Sequence, residues 1–381
     1  MCVHRPLEGG KKLAKPLILN IPVVGITGSA GKTTTKEMTA SVLQQKWKIF
    51  KTKGNANTYK NTLKYLKMIH PYHQAVVLEF GMLHSGGIRK HCQIIQPNIG
   101  IITNVGSAHI GNFNGKIEGI ARAKSELIQH MKQTGTLILN ADDKNSQLLQ
   151  TKRFPGKIIT IGINQQATYQ AKNVKYVRSG MEFEVSLKGK KHRFYIPTFG
   201  IHNIYNALFA IAVADHLGFD AELIKRGLRG YTKPRRRLNV FTLPQGIQII
   251  DDTYSANPHA MKAAIKVASD IGNKNKIAVL GTMLEMGNYS VKAHKDVGRF
   301  LAKHHFNYLY TFGKQAKYIA DGAIEAGFPR SHIMTFLEKG KMHANLITKI
   351  KPNTTILIKG SHGMKMNETV HFLINYYKKR T

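Results

Sequence analysis

The sequence predicts an α/β protein built from a doubly wound central domain with a P-loop and an added antiparallel hairpin region, followed by a Rossmann-like α/β domain. Three observations carry this. Apolar runs of four or five residues alternate with helix-length stretches, a glycine-rich loop joins the first run to the first helix, and the alternation restarts after a basic, Pro-containing segment near residue 233. Runs that do not alternate with polar residues suit parallel strands covered on both faces, and the intervening helices supply the cover. A chain of 381 residues also exceeds one ordinary domain of roughly 100–200 residues.

Residues 1–20 read as an N-terminal extension, with basic residues but no apolar run long enough for a secretory signal. Residues 21–26 then form a short buried strand that enters the glycine loop and a helix over about 32–45. Two further apolar runs, 75–78 and 99–103, end on Glu79 and Asn104, with a helix over 58–69 before them. Ligands of doubly wound sheets gather at the carboxyl ends of the strands, where these two polar residues stand. From 157 to 197 the pattern shortens to alternating segments such as MEFEVSLKGKKHRFYIP, which predict an antiparallel hairpin appended to the parallel sheet. A helix over 203–217 is stopped by Gly218. The stretch GYTKPRRRLNV is the linker, dividing the chain into a central domain over 21–232 and a C-terminal domain over 233–381. Beyond it IQIIDD, a helix from about Pro258, KIAVLG and TTILIKGS continue the series.

Lys and Arg number 57 against 21 Asp and Glu, a formal net charge of +36, while 42 % of residues are hydrophobic and 20 % charged. That balance is globular, so the charge reports attraction to anions rather than disorder: nucleotides, nucleic acid, acidic lipid or anionic wall polymers. Only Cys2 and Cys92 are present, which excludes a disulfide framework and a four-thiolate zinc site. No stretch approaches the roughly 18 apolar residues of a membrane span, and a soluble cytoplasmic protein is expected.

The segment GITGSAGKTTT, beginning at Gly25, is the strongest chemical signal. Gly28, Ser29, Ala30 and Gly31 let successive amides face phosphate oxygens, the helix that follows adds its positive end, Lys32 adds a mobile charge and Thr33 and Thr34 add hydroxyls. The general G-x-x-x-x-G-K-[ST] spacing would need glycine where Ile26 stands, so this is a variant loop. Glu79 at a neighbouring strand end suits Mg²⁺, directly or through water, since hard cations prefer oxygen. His109 in a glycine-rich loop and Lys124 on a helix have no distinguishing spacing of their own.

The ordered segments GITGSAGKTTTKEM, KGNANT, LEFGM, ITNVGSAH, ARAKSEL, GIHNIYNALFA, DDTYSANPHAM, LGTMLEMG and KGS resemble those of the Mur ligases, the ATP-dependent amide ligases of peptidoglycan synthesis. Within that family the order is most similar to the branch that adds D-alanyl-D-alanine to a UDP-muramyl tripeptide. The resemblance implies ATP-driven conversion of a carboxylate to an acyl phosphate, attack by an amine, and release of ADP and phosphate. It implies Lys32 on the β- and γ-phosphates, Thr33 and Glu79 on one Mg²⁺, His109 on a second, and Lys124 as a carbamylated lysine. It places His202, Asn203 and Asn206 near the nucleotide base, and Arg237 and Asp252 at the phosphates and ribose.

Three positions depart from that branch: Ser255 stands for Asn, Thr282 for Asp and His362 for Arg, all in the domain that receives the amine. The P-loop also begins close to Met1, where the family has a domain for the UDP-substrate, so a separate substrate-binding chain, another acceptor or a truncated gene is expected. The readings left open are D-alanyl-D-alanine addition, the same chemistry on a different acidic or cofactor-like acceptor, and a non-catalytic P-loop protein using its charge on nucleic acid or an anionic membrane. The metal and phosphate set favours a ligase over nucleic-acid binding, and KPRRR reads as a hinge. His294 either matches a family histidine or lies on a helix surface, and Trp47 belongs to no base-stacking series.

Overall fold

The computed structural model describes residues 16–378, so Cys2 and most of the expected N-terminal extension lie outside the described residues. The chain separates into two compact units. The first reaches Gly106 and resumes over Lys116–Pro234; the second takes the loop Ser107–Gly115 and the chain from Arg235 onward. That loop lies within the span 21–232 assigned above to the central domain.

The first unit begins with β1 (Val23–Thr27), α1 (Lys32–Leu43), β2 (Ile49–Lys51), α2 (Tyr59–Tyr65), β3 (Ala75–Glu79), α3 (Gly87–Ile94), β4 (Ile99–Ile102), α4 (Ile117–His130) and β5 (Thr136–Asn140). It continues through β6 (Lys157–Gly162), β7 (Tyr169–Gln170), β8 (Lys172–Val177), β9 (Gly180–Leu187), β10 (Lys190–Ile196), α5 (Ile201–His216) and α6 (Ala221–Arg229). Seven strands form one sheet in the order β2-β3-β1-β4-β5-β6-β7, with every pairing parallel. All residues of β1, β3 and β5 are buried, which is why these runs show no alternation. The chain passes from β3 on one side of β1 to β4 on the other, so the strand order reverses around the strand that feeds the phosphate loop.

The hairpin forms as expected but not as an extension of the parallel sheet. β9 and β10 pair antiparallel around Lys188 and Gly189, both at positive φ (49° and 79°), the geometry of a tight primed turn. With β8 they make a separate three-stranded sheet, whereas β6, from the same stretch of sequence, joins the parallel sheet. The reason is α5, apolar around most of its circumference, which packs on β5, β6 and β7 and also on β9. Ile204, Leu208, Phe209, Ile211 and Val213 are fully buried there, each contributing about 1.5–3 kcal/mol through burial. Gly218, at φ 80°, ends the helix: its N–H bonds the Asp215 carbonyl and that of Phe219 bonds Ala214. Trp47 packs edge-on against Phe219 at 4.8 Å, a core role. Cys92 is a buried free thiol whose ionisation burial opposes.

The second unit contains β11 (Asn239–Thr242), β12 (Gln248–Asp252), α7 (Pro258–Ile271), β13 (Asn275–Gly281), α8 (Ser290–Ala302), β14 (Tyr308–Phe312), α9 (Lys317–Glu325), β15 (Ile333–Phe336), α10 (Lys339–Lys349), β16 (Thr354–Lys359) and α11 (Asn367–Lys378). Its sheet runs β11-β12-β16-β13-β14-β15, parallel except for the edge strand β11. Asn257 caps α7 through the Ala260 amide at 2.9 Å, with Pro258 in the first turn, where its missing N–H costs nothing. No helix among the described residues is long and apolar enough to cross a membrane.

Candidate active site

The loop between β1 and α1 holds its shape because the chain around it leaves no alternative. Gly28 sits at φ 148° and Gly31 at φ 83°. A Cβ on Gly28 would lie 1.8 Å from Thr103 Oγ1, and one on Gly31 would lie 2.5 Å from Asn206 Oδ1, so both positions exclude any side chain. The Asn104 side-chain oxygen accepts from the amides of Ser29 (3.1 Å) and Ala30 (3.0 Å), and Thr103 Oγ1 donates to the Ala30 carbonyl at 2.6 Å. Ser29 Oγ donates to the Gly106 carbonyl at 2.8 Å. Lys32 folds back over the loop, its Nζ donating to the Gly28 carbonyl at 2.7 Å. Thr33 and Thr34 are buried in the first turn of α1.

Asn203 and Asn206 lie beneath this loop. Thr35 Oγ1 donates to Asn206 Oδ1 at 3.0 Å, Asn206 Nδ2 donates to Asn203 Oδ1 at 3.0 Å, and Asn203 Nδ2 donates to the Phe199 carbonyl at 2.7 Å. His202 Nε2 faces Asn203 Nδ2 at 3.3 Å.

Glu79 ends β3 and is paired in register with Ile26, two residues before Gly28. It is 2 % exposed. Oε1 accepts from Asn57 Nδ2 at 2.8 Å, while Oε2 is buried with no hydrogen-bond partner among the described residues. A buried carboxylate oxygen without a donor is costly unless something electropositive completes it, so the donor set here fits a hard cation. No group of three or more His, Cys, Asp or Glu side chains stands together among the described residues. A cation at this strand end would therefore draw on hydroxyl and phosphate oxygens as well as on Glu79.

Lys124 points into the interior from α4 and is 2 % exposed. Burial and the nearby charge of Lys32 hold its amine well below the ordinary lysine value, against an opposing pull from Asp143. The Asp143 carboxylate accepts from the Val105 amide at 2.8 Å and from Ser146 Oγ at 2.8 Å.

In the second unit His109 stands at φ 61° with Nδ1 2.6 Å from Glu285 Oε2, itself at φ 64°. The Arg237 guanidinium lies over the Tyr254 ring at 4.2 Å. Asp252 Oδ2 accepts from Lys359 Nζ at 2.5 Å, and the same amine donates to the Ser255 carbonyl at 2.8 Å. Burial pulls the Lys359 amine down while Asp252 supports its charge. The three departing positions follow the adjacent strands β12, β16 and β13. His362 packs edge-on to Tyr254 at 6.0 Å, and Thr282 Oγ1 is buried without a partner. His294 is fully buried, not on a helix surface: Nε2 accepts from the Met283 amide at 2.9 Å and Nδ1 reaches the Ser290 carbonyl at 2.7 Å. Burial holds it neutral.

The first unit thus gathers the glycine loop, Lys32, Thr33, Glu79, Lys124, Asn203 and Asn206, and the second gathers His109, Arg237 and Asp252. Sequence reasoning missed Thr103 as a clamp on the loop and read Asn104 only as a strand end. It also missed Asn57. The polar pair directly after an apolar strand and the two closely spaced asparagines of KGNANT were the available signals.

Residues 26–214 match the model described as Mur ligase middle domain, and residues 236–362 match that of the Mur ligase glutamate ligase domain. The chain is 34 % identical to the UDP-N-acetylmuramoyl-tripeptide–D-alanyl-D-alanine ligase of Bacillus subtilis strain 168, over 98 % of this chain and 80 % of the relative. It is similar to the crystal structure of MurF from Acinetobacter baumannii (TM-score 0.85, 30 % identity, 93 % of this chain and 77 % of that one). It is also similar to the MurF ligase of Thermotoga maritima in complex with ADP (TM-score 0.84, 26 % identity, 95 % and 81 %).

Proposed function

The chain belongs to the Mur ligase family, and on that premise we propose that it joins D-alanyl-D-alanine to UDP-N-acetylmuramoyl-tripeptide in the cytoplasm, at the expense of ATP, as a step of peptidoglycan synthesis. The substrate pair rests on the similarity to the Bacillus subtilis ligase, and the observation that carries the use of ATP is the orphaned Glu79 Oε2 beside a phosphate loop whose two glycines admit no side chain. A structural carboxylate at that place would have both oxygens satisfied.

The tripeptide carboxylate oxygen attacks the γ-phosphorus and ADP leaves. The dipeptide amine then attacks the carbonyl carbon of the acyl phosphate, loses a proton, and the tetrahedral intermediate expels phosphate. The Ser29 and Ala30 amides, expected from the sequence to face phosphate, are instead taken up by Asn104, so the amides that open α1, together with Lys32, bind the β- and γ-phosphates and hold them in line for the first attack. Thr33 and Glu79 would hold one Mg²⁺, and Lys124 is assigned to a second. The cations supply neutralisation of the charge that builds up when a carboxylate approaches a polyphosphate. Lys124 qualifies through carbamylation: Nζ bonds to the carbon of CO₂ and loses a proton, giving an oxygen ligand. That reaction needs a neutral amine, which burial beside Lys32 favours. His202, Asn203 and Asn206 are assigned to the base side of the nucleotide, and Arg237 and Asp252 to its phosphates and ribose.

The test is phosphate release from ATP with each substrate alone and with both. Turnover should require the pair; intact ATP binding with no response to the pair would overturn the assignment. A second reading keeps the chemistry and changes the amine. It is favoured by Thr282, whose buried hydroxyl has no hydrogen-bond partner among the described residues, and a screen of amines for ADP production separates the two.

A further inference from the structure

We propose that Asn57 is a positioning residue for Glu79, fixing one carboxylate oxygen so that the other alone is presented to a divalent cation. The inference rests on the reading of Glu79 as a metal ligand. The segment KGNANT has no part in the chemistry described so far, yet its last asparagine is the only hydrogen-bond partner of the Glu79 carboxylate among the described residues. A carboxylate only accepts, so the amide nitrogen of Asn57 must face it, and the 2.8 Å bond fixes which way the side chain is turned.

The segment is itself held at several points, all within the first unit. The Glu79 backbone amide donates to Thr52 Oγ1 at 3.0 Å, and the Gly81 amide donates to the Asn57 carbonyl at 2.9 Å. Lys36 Nζ donates to the carbonyls of Thr52 (2.8 Å) and Gly54 (2.5 Å), tying the segment to α1, the helix that begins at Lys32. Tyr65 Oη donates to the Ala56 carbonyl at 3.0 Å. Gly81 completes the frame: a Cβ there would lie 2.6 Å from Asn57 Oδ1 and 2.8 Å from its Cγ, so any side chain would push the amide away from Glu79.

If Asn57 were present only to satisfy a buried acceptor, the second carboxylate oxygen would need a donor just as much, and it has none. One oxygen bonded and one bare is the arrangement that orients a ligand before the ion arrives. It spares the ion the cost of stopping the carboxylate's rotation, and loss of such outer partners typically weakens metal binding by about 10- to 100-fold.

The test uses the full chain with Mn²⁺ as the probe, its affinity followed by electron paramagnetic resonance with a non-hydrolysable ATP analogue present. Nucleotide affinity is measured separately in EDTA. Asn57→Leu keeps the approximate volume and removes the donor; Gly81→Ala keeps the donor and displaces it. Both should raise the Mn²⁺ dissociation constant by about tenfold or more while leaving metal-free nucleotide affinity within about twofold. Turnover in both should recover with excess Mg²⁺, a split that a merely destabilised protein would not show. Glu79→Ala separates the two levels of the argument. If it leaves Mn²⁺ affinity unchanged, the reading of Glu79 fails; if it abolishes the affinity while both other variants bind like the parent, the positioning role fails.

Discussion

Thr35 Oγ1 donates to Asn206 Oδ1 at 3.0 Å, joining the first helix after the phosphate loop to α5, 171 positions later in the chain. The same Asn206 oxygen occupies the space a Cβ on Gly31 would need. The loop is therefore shaped from below by α5 and from the side by Asn104.

Asn206→Ala removes this support and leaves Thr35 and Asn203 with unpaired buried groups. We expect a loss of about 1–3 kcal/mol in unfolding free energy and ATP binding weaker by about tenfold, a change of roughly 1.4 kcal/mol. Thermal unfolding and nucleotide titration check the two parts. Unchanged nucleotide affinity in a destabilised variant would confine Asn206 to the core.

Lys124→Met should uncouple activity from stability. Turnover should fall on the order of a hundredfold or more if the residue serves the transferring phosphoryl group. The melting temperature should stay level or rise, because a buried amine is exchanged for an apolar chain of similar length. Native mass spectrometry of the parent in bicarbonate should show one added CO₂ that the variant lacks. Full turnover in the variant would remove Lys124 from the chemistry.

His91 sets a pH limit on the first unit. It is fully buried, with Nδ1 2.7 Å from Thr62 Oγ1 and Nε2 3.1 Å from the Gly81 carbonyl, and burial lowers its pKa to about 4. The unfolded chain takes up this proton near pH 6.5, the folded one only near 4, so the unfolded state binds more protons between those values. Stability is complete above pH 6.5 and falls as the pH drops towards 4, by about 3 kcal/mol in all. Denaturant titrations from pH 7 to 4 should show the slope, and His91→Gln should flatten it.

The pair Lys359–Asp252 offers a stability test of the second unit. Lys359→Met alone leaves Asp252 without its buried cation and should cost about 3–5 kcal/mol. Adding Asp252→Asn should restore part of that loss, so that the double variant is more stable than the sum of the singles. Strict additivity in the cycle would show that the two side chains are not coupled.

The parts most legible from sequence were those whose physics is local. The phosphate loop follows from Gly28, Gly31 and Lys32 at fixed spacing after an apolar run, and the strand-end place of Glu79 follows from a second run, 75–78, which it closes. Gly218 announces the end of α5 because only a residue tolerant of positive φ closes a helix that way. What stayed hidden depends on partners distant in sequence. The clamp by Thr103 and Asn104 and the support from Asn206 require the fold before they exist. AHKDVG suits an exposed helix equally well until α8 is packed, which buries His294 against the Met283 amide. Alternation likewise predicts the hairpin of β9 and β10 but not which sheet it joins, since that is settled by α5 on its inner face.

The strand order of the second sheet bears on how the protein is made. β16 is the last strand to be synthesised, yet it lies between β12 and β13, which do not touch each other in the sheet. Until residue 359 has left the ribosome, β12 and β13 each carry an open, apolar edge with its pairing groups bare. Such edges are templates for pairing with other chains. A nascent chain stalled short of this strand, or a message cut before its codons, would yield a split sheet prone to aggregate rather than a weakened enzyme.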